Sequence, residues 1–201
     1  MDGTLIDSGT AISNTINFVR TNIGLEPLDK STLLTQINNP NINAAEYFYG
    51  TQHFTEEQTE LFTQYYDKHC IEDIVLYNGI KNLLKKLSTH FILCVATNAS
   101  KEFAIKMLKH LDIYKYFKLV VGANCVKNPK PSPDMLQYIC KKLSIKCQDT
   151  ILVGDSLKDQ LAADNCQMDT ILVDWGFSNN DLKNYKVIKD IKELTNILQN
   201  Y

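Results

Sequence analysis

From about Tyr77 onward the chain alternates short, near-continuous apolar runs with stretches in which apolar residues recur every three or four positions. The runs at 91–96, 119–121, 150–153 and 170–173 predict strands buried on both faces, since a half-exposed strand would alternate apolar with polar residues. The periodic stretches predict helices at 80–87, 102–111, 133–143 and 158–166, the third with Ser132 as N-cap and Pro133 in the first helical position. Strand and helix in alternation give an α/β fold, a doubly wound parallel sheet covered by helices on both faces. The segment 11–76 follows another pattern. Ile12, Ile16, Val19 and Ile23 repeat at helical spacing, as do Leu61, Tyr65 and His69, and no strand-like run separates them. It predicts an all-helical insert, a cap, in a core formed by residues 1–10 and 77–201, with a loop at 38–43 around Pro40. A sheet of this kind also requires a strand feeding the loop at Asp2.

Composition narrows the function classes. At 201 residues the chain is long enough to bury a substantial core. No apolar run approaches the ~20 residues of a membrane span, and the start lacks a basic-then-apolar leader pattern, so a cytoplasmic protein with no membrane partner is expected. The net charge of −2 and the dispersed lysines argue against nucleic acid as a partner. The six cysteines include no Cys-x-x-Cys pair, so they predict buried apolar side chains and no disulfide framework or zinc site. Arg20 is the single arginine, and its planar fork makes it a candidate for reading a substrate carboxylate.

Four polar groups fall where predicted strands end and helices begin, the place where open parallel sheets bind ligands. They are Asp2-Gly3-Thr4-Leu5, Thr97-Asn98, Lys130-Pro131-Ser132-Pro133 and Gly154-Asp155-Ser156-Leu157-Lys158-Asp159. Asp155 follows an apolar run and would lie at the mouth of the sheet as an isolated carboxylate, which calls for a cation. Mg²⁺, a hard ion that shares oxygen ligands with phosphate, suits it. Asp159, one helical turn on, could orient Asp155 or a metal-bound water, or simply cap the helix. Thr97 ends a strand with a hydroxyl free for a phosphate oxygen, at a helix start that favours anions, and an ordinary N-cap explains it as well. Asp7-Ser8 predicts the N-cap of the first cap helix.

These four groups in this order resemble the phosphatase branch of the haloacid dehalogenase-like superfamily, whose phosphoglycolate phosphatase-like members share the Asp-Gly-Thr-Leu-x-Asp-Ser opening, Lys-Pro-x-Pro, Gly-Asp-Ser-x-x-Asp, Ala162-Ala163, Met168 and the Trp175-Gly176 step. The resemblance implies a Mg²⁺-dependent phosphomonoester hydrolase on that superfamily's Rossmann-like core, acting on a small phosphorylated metabolite through an aspartyl-phosphate. Asp2, Thr97 and Lys130 would be catalytic, and Asp2 would act as general acid and base. Gly3, Thr97, Asn98 and Lys130 would bind phosphate, and Asp2, Asp155 and Asp159 the metal. A monomer or homodimer is expected. A sugar-phosphate mutase of the same family and a non-catalytic phospholigand-binding module are the alternatives.

The chain departs from the family pattern in three places. Asn78 stands for the usual Pro before Gly79, and Gln167 for a helix-ending Gly. The third is the opening: in the full Asp-x-Asp-Gly-Thr motif the first Asp is the nucleophile, and it would fall one residue before Met1. A strand and an Asp encoded upstream of Met1 are expected, and without them the chain should be inactive.

Overall fold

The structure, a computed structural model, describes residues 1–177 and 182–199. Its α/β half follows the predicted alternation. Strands β3 (Leu93–Ala96), β4 (Phe117–Val121), β5 (Ile151–Gly154), β6 (Asp169–Val173) and β7 (Val187–Ile188) are separated by helices α6 (Lys101–His110), α7 (Asp134–Leu143) and α8 (Leu157–Asp164), flanked by α5 (Ile80–Leu87) and α9 (Ile191–Leu198). The ladders β3–β4 and β5–β6–β7 are parallel throughout, with helices crossing from β3 to β4 and from β5 to β6. Among the described residues no ladder joins these two sheets. Met1 and Asp2 lie between the carboxyl ends of β3 and β5, with Asp2 near Thr97 on one side and Thr4 bonded to Asp155 on the other.

The insert is helical: α1 (Gly9–Asn22), α2 (Lys30–Ile37), α3 (Ala44–Tyr49) and α4 (Glu56–His69). The polar residues before three of them explain where they start. Asp29 accepts the Thr32 amide at 2.9 Å, Asn43 accepts the Ala45 amide at 3.0 Å, and Thr55 with Gln58 forms a reciprocal capping box. Ile16, Val19, Leu33, Phe48 and Tyr49 form an apolar cluster internal to this segment. At its root the cap shares the core of the α/β half, where Ala11, Tyr66 and Cys70 pack with Ile6, Val95 and Met107. Two very short strands, β1 (Ile6–Asp7) and β2 (Val75–Leu76), pair antiparallel as a ribbon that carries the chain into and out of the cap.

Several expectations shift by a residue or two. On α4 the most buried stripe is Gln58, Tyr66 and Cys70 with Phe62, while Leu61 packs on the cap cluster, Tyr65 stacks on Phe18 of α1 at 4.3 Å and His69 turns to Glu72. Pro133 is the N-cap of α7 rather than its first residue, and the Ser132 hydroxyl bonds the Asp134 carboxylate. Ser8 precedes α1 without capping it; Asp7 accepts the Gly9 amide instead, at 3.2 Å. Gln167, where a glycine is usual, adopts the left-handed conformation such a helix end demands, with φ at 56°.

Leu33 is fully buried in the cap cluster. Leu33→Ala should therefore lower stability by about 2–5 kcal/mol, the usual cost of an unfilled core cavity, as read from the urea midpoint. A change below about 1 kcal/mol would show that the cap cluster is not packed as described.

Candidate active site

The site forms where β3, β5 and the Asp2 turn converge. Gly3 makes that turn possible, with φ at 71° and no room for a side chain: a Cβ would lie 2.0 Å from Asp155 Oδ2. Gly176 closes the other side, where a Cβ would come 2.3 Å from the Gly3 carbonyl and 2.7 Å from Asp155. The adjoining Trp175 indole donates to the Thr4 carbonyl at 3.0 Å, which fixes the Gly176 strip against the turn. Gly154 performs the same service one helical turn further on, since its Cβ would reach within 2.4 Å of the Asp159 carboxyl carbon. Two carboxylates are thus packed against bare backbone, held closely enough that no larger residue fits.

Asp155 is 4% exposed and has only neutral donors. The Thr4 hydroxyl donates to Oδ1 at 2.8 Å and the Asn38 amide to Oδ2 at 3.1 Å. Burial, reinforced by the negative charge of Asp159, pushes its carboxyl up to about 6. Asp159 goes the other way. Burial again opposes its charge, but the Lys130 ammonium and the hydrogen bonds from Lys130 and Ser156 outweigh it and hold the carboxyl below its usual range. Its Oδ1 accepts Lys130 Nζ at 2.6 Å, and Oδ2 accepts the Ser156 amide and hydroxyl, so that it also completes the capping box of α8. The Lys130 ammonium donates a second bond, 2.8 Å, to the Ala96 carbonyl.

Asp2 faces the same space. Ser8 Oγ donates to its Oδ1 at 2.6 Å, and Thr97 Oγ1 to Oδ2 at a long 3.5 Å. Thr97 is buried, and its oxygen also receives the Ala99 amide at 3.2 Å. Asp2, Thr97, Lys130 and Asp155 line one cavity of about 400 Å³, with Phe62 and Lys158 among its other walls. Half-buried Lys158 reaches the Ile37 carbonyl of the cap at 3.1 Å, and burial lowers its affinity for the proton. Among the described residues no three His, Cys, Asp or Glu side chains are grouped closely enough to hold a metal ion. The chemistry nonetheless fits a hard cation: Asp155 is buried, partnered by neutral groups and reluctant to ionise, the condition that a bound cation relieves.

Two sequence candidates are used differently. The Asn98 side chain is tied into the Lys130 loop, donating to the Lys130 carbonyl at 2.8 Å and accepting its amide at 3.0 Å, so it positions the lysine instead of facing the cavity with its own amide. Arg20 is bound to the Glu26 and Phe48 carbonyls within the cap and does not line the cavity. Three residues not named as site candidates belong to the site: Ser8 and Lys158, which lie within the quoted motifs, and Asn38, which lies outside them. Asn38 had only the warning of starting an irregular segment, and nothing in the sequence linked it to Asp155.

The family model for haloacid dehalogenase-like hydrolases matches residues 1–173. The chain belongs to this family. Similar proteins within the wider group of haloacid dehalogenase-like hydrolases include the phosphoglycolate phosphatase of Chromobacterium violaceum, 27% identical over 100% of this chain and 94% of that protein. The phosphoglycolate phosphatase of Escherichia coli is 27% identical over 89% of this chain and 80% of its own length. Among solved structures, a predicted phosphatase from Clostridium acetobutylicum superposes with a TM-score of 0.84 at 26% identity, covering 100% of this chain and 96% of that one.

A carboxyl near 6 when folded and near 3.8 when free binds its proton more tightly in the native state. Its contribution to stability is full below about 4 and declines as the pH rises through about 6. Asp155→Asn, which mimics the protonated form, should stabilise the metal-free protein at pH 7.5 by about 1–2 kcal/mol and lose that advantage at pH 4. Denaturation in the presence of a chelator at the two pH values checks this, and equal destabilisation at both would contradict it.

Proposed function

We propose that this chain is a Mg²⁺-dependent phosphomonoester hydrolase of the haloacid dehalogenase-like class, acting on a small phosphometabolite of the phosphoglycolate kind. The observation that carries the reading is the convergence on one cavity of a buried, cation-seeking carboxylate (Asp155), a buried ammonium (Lys130), a strand-end hydroxyl (Thr97) and a second carboxylate (Asp2). Bound Mg²⁺ would neutralise phosphoryl charge and help align it for in-line attack, held by Asp155 and Asp2. Lys130 contacts a phosphoryl oxygen while Asp159 fixes its ammonium, so Asp159 acts through the lysine as well as beside the metal. Thr97 and the backbone around Gly3 and Asn98 supply neutral donors to the remaining oxygens.

Asp2 moves the protons. It protonates the leaving alkoxide as the phosphoryl group departs, then accepts a proton from the water that hydrolyses the aspartyl-phosphate. Ser8, 2.6 Å from Asp2 Oδ1, leaves Oδ2 as the oxygen facing the substrate. The phosphoryl acceptor is the Asp that the motif places directly before Met1. The position of Asp2 beside Thr97, with Thr4 bonded to Asp155, supports that reading. Helices α1–α4 serve as the cap that excludes water and contributes specificity.

The test uses the protein carrying an apolar strand and an Asp ahead of Met1. It should hydrolyse an aryl phosphate only with Mg²⁺, Asp155→Asn should reduce kcat/KM by at least about 10³-fold, and the chain beginning at Met1 should be inactive on the same scale. Comparable turnover by the chain beginning at Met1 would overturn the nucleophile, and binding of phosphate without turnover by the extended protein would favour the non-catalytic alternative. Lys158, the cavity's second cation, takes the role expected of Arg20. Lys158→Met should raise KM for carboxylated phosphoesters about tenfold relative to neutral ones with kcat little changed, and an equal effect on both would remove it from substrate recognition.

A further inference from the structure

Three of the six cysteines, without a motif to link them, meet in the fold. Cys140 on α7, Cys147 in the turn before β5 and Cys166 just beyond α8 all belong to the apolar cluster that packs these helices together. Cys147 Sγ lies 3.2 Å from Cys140 Sγ, and Cys166 is near enough to Cys147 for the two thiols to influence each other. The Cys166 thiol is otherwise directed to the Ala162 and Ala163 carbonyls, at 3.4 Å each. Cys140 and Cys166 are buried, whereas Cys147 is half-exposed. The remaining thiols, Cys70, Cys94 and Cys125, have no thiol neighbour of this kind among the described residues.

We propose that Cys140, Cys147 and Cys166 form an oxidation site in which Cys147 meets the oxidant, Cys140 resolves it and Cys166 can exchange into the resulting disulfide. The co-reactant is a small hydroperoxide. The Cys147 thiolate attacks the distal peroxide oxygen, an S–O bond forms as the O–O bond breaks, and an alcohol or water leaves, giving a sulfenic acid. The Cys140 sulfur then attacks the Cys147 sulfur. The S–S bond forms as the S–OH bond breaks, and the leaving hydroxide takes the Cys140 proton away as water. Two thiols are oxidised by two electrons in all, and hydrogen peroxide would be reduced to two waters.

Exposure sets this order. Burial first, then the Cys147 thiol beside them, pushes Cys140 up to about 12 and Cys166 up to about 11, so both remain protonated at neutral pH and neither is the first to react. Proximity then favours Cys140 over any thiol in solution as the resolving partner, because the reacting sulfurs are already within 3.2 Å. The linkage would tie the end of α7 to the turn that leads into β5, the strand that ends at Asp155. This inference does not depend on the proposed hydrolase activity.

The test treats the fully reduced chain with one equivalent of hydrogen peroxide, blocks free thiols with a maleimide and maps the products by non-reducing peptide mass spectrometry. The expected product is a Cys140–Cys147 peptide lighter by two hydrogens. Cys147→Ser should slow disulfide formation by at least about tenfold, and Cys140→Ser should divert the linkage to Cys147–Cys166. Circular dichroism of both variants establishes that they are folded, and Cys147→Ala repeats the measurement if the serine disturbs the cluster. Oxidation confined to Cys94 or Cys125, or disulfide formation at the same rate in the folded Cys147→Ser variant, would overturn the proposal.

Discussion

The Lys130–Asp159 ion pair ties the end of β3 to the first turn of α8. The Lys130 ammonium bonds the last carbonyl of β3 at 2.8 Å and a carboxylate in the first turn of α8 at 2.6 Å. Both side chains are almost completely enclosed, 8% and 7% exposed. A pair in that setting is a weak source of net stability, because desolvation cancels much of the attraction, but the loss of one partner leaves a stranded charge at a cost of about 3–5 kcal/mol. The contact is therefore binding in the literal sense. It fixes the distance between the two strand ends that hold Thr97 and Asp155, and the mutual hydrogen bonds of Asn98 and the Lys130 backbone keep the lysine from withdrawing.

Around that contact two carboxylates of the same loop are driven to opposite states. Asp159 is given a cation and stays charged; Asp155 is denied one and resists ionisation. The separation follows from packing. Gly3, Gly154 and Gly176 bring bare backbone against the two groups. The site thus carries an unmet electrostatic demand as part of its construction, and binding energy at Asp155 is available because the fold has left that residue poorly served.

The sequence reveals what repeats locally and conceals what depends on tertiary contact. The strands were legible from their apolar runs, although Phe91 and Ile92 are exposed and β4 and β6 include exposed Lys118 and Asp169, and the site loops were legible because Asp2, Thr97, Lys130 and Asp155 each follow such a run or lie in a turn. The stripe on α4 was legible only in part: Leu61 and Tyr65 pack on the cap, but Tyr66, one position on, is the ring that enters the core, and the spacing of aromatic residues alone does not say which turns deepest. Arg20 illustrates the converse: a guanidinium suited to a ligand is as well suited to backbone carbonyls, and the cap supplies two. Asn38 donates to Asp155 from 117 positions away in the chain, and the thiols of Cys140 and Cys147 approach through the fold of a turn; no local pattern encodes either.

The ribbon β1–β2 consists of two residue pairs, Ile6 with Leu76 and Asp7 with Val75. So short a ladder resists stretching but offers little resistance to twist, which makes it a torsion joint between the cap and the α/β half. Ser8 follows that joint directly and holds Asp2 through its hydroxyl, while Thr4, four residues before Ser8, holds Asp155. A rotation of the cap about the ribbon is therefore a rotation of one of the carboxylate's own hydrogen-bond donors. The angle of the cap and the placement of the Asp2 carboxylate are thereby coupled through one hydroxyl.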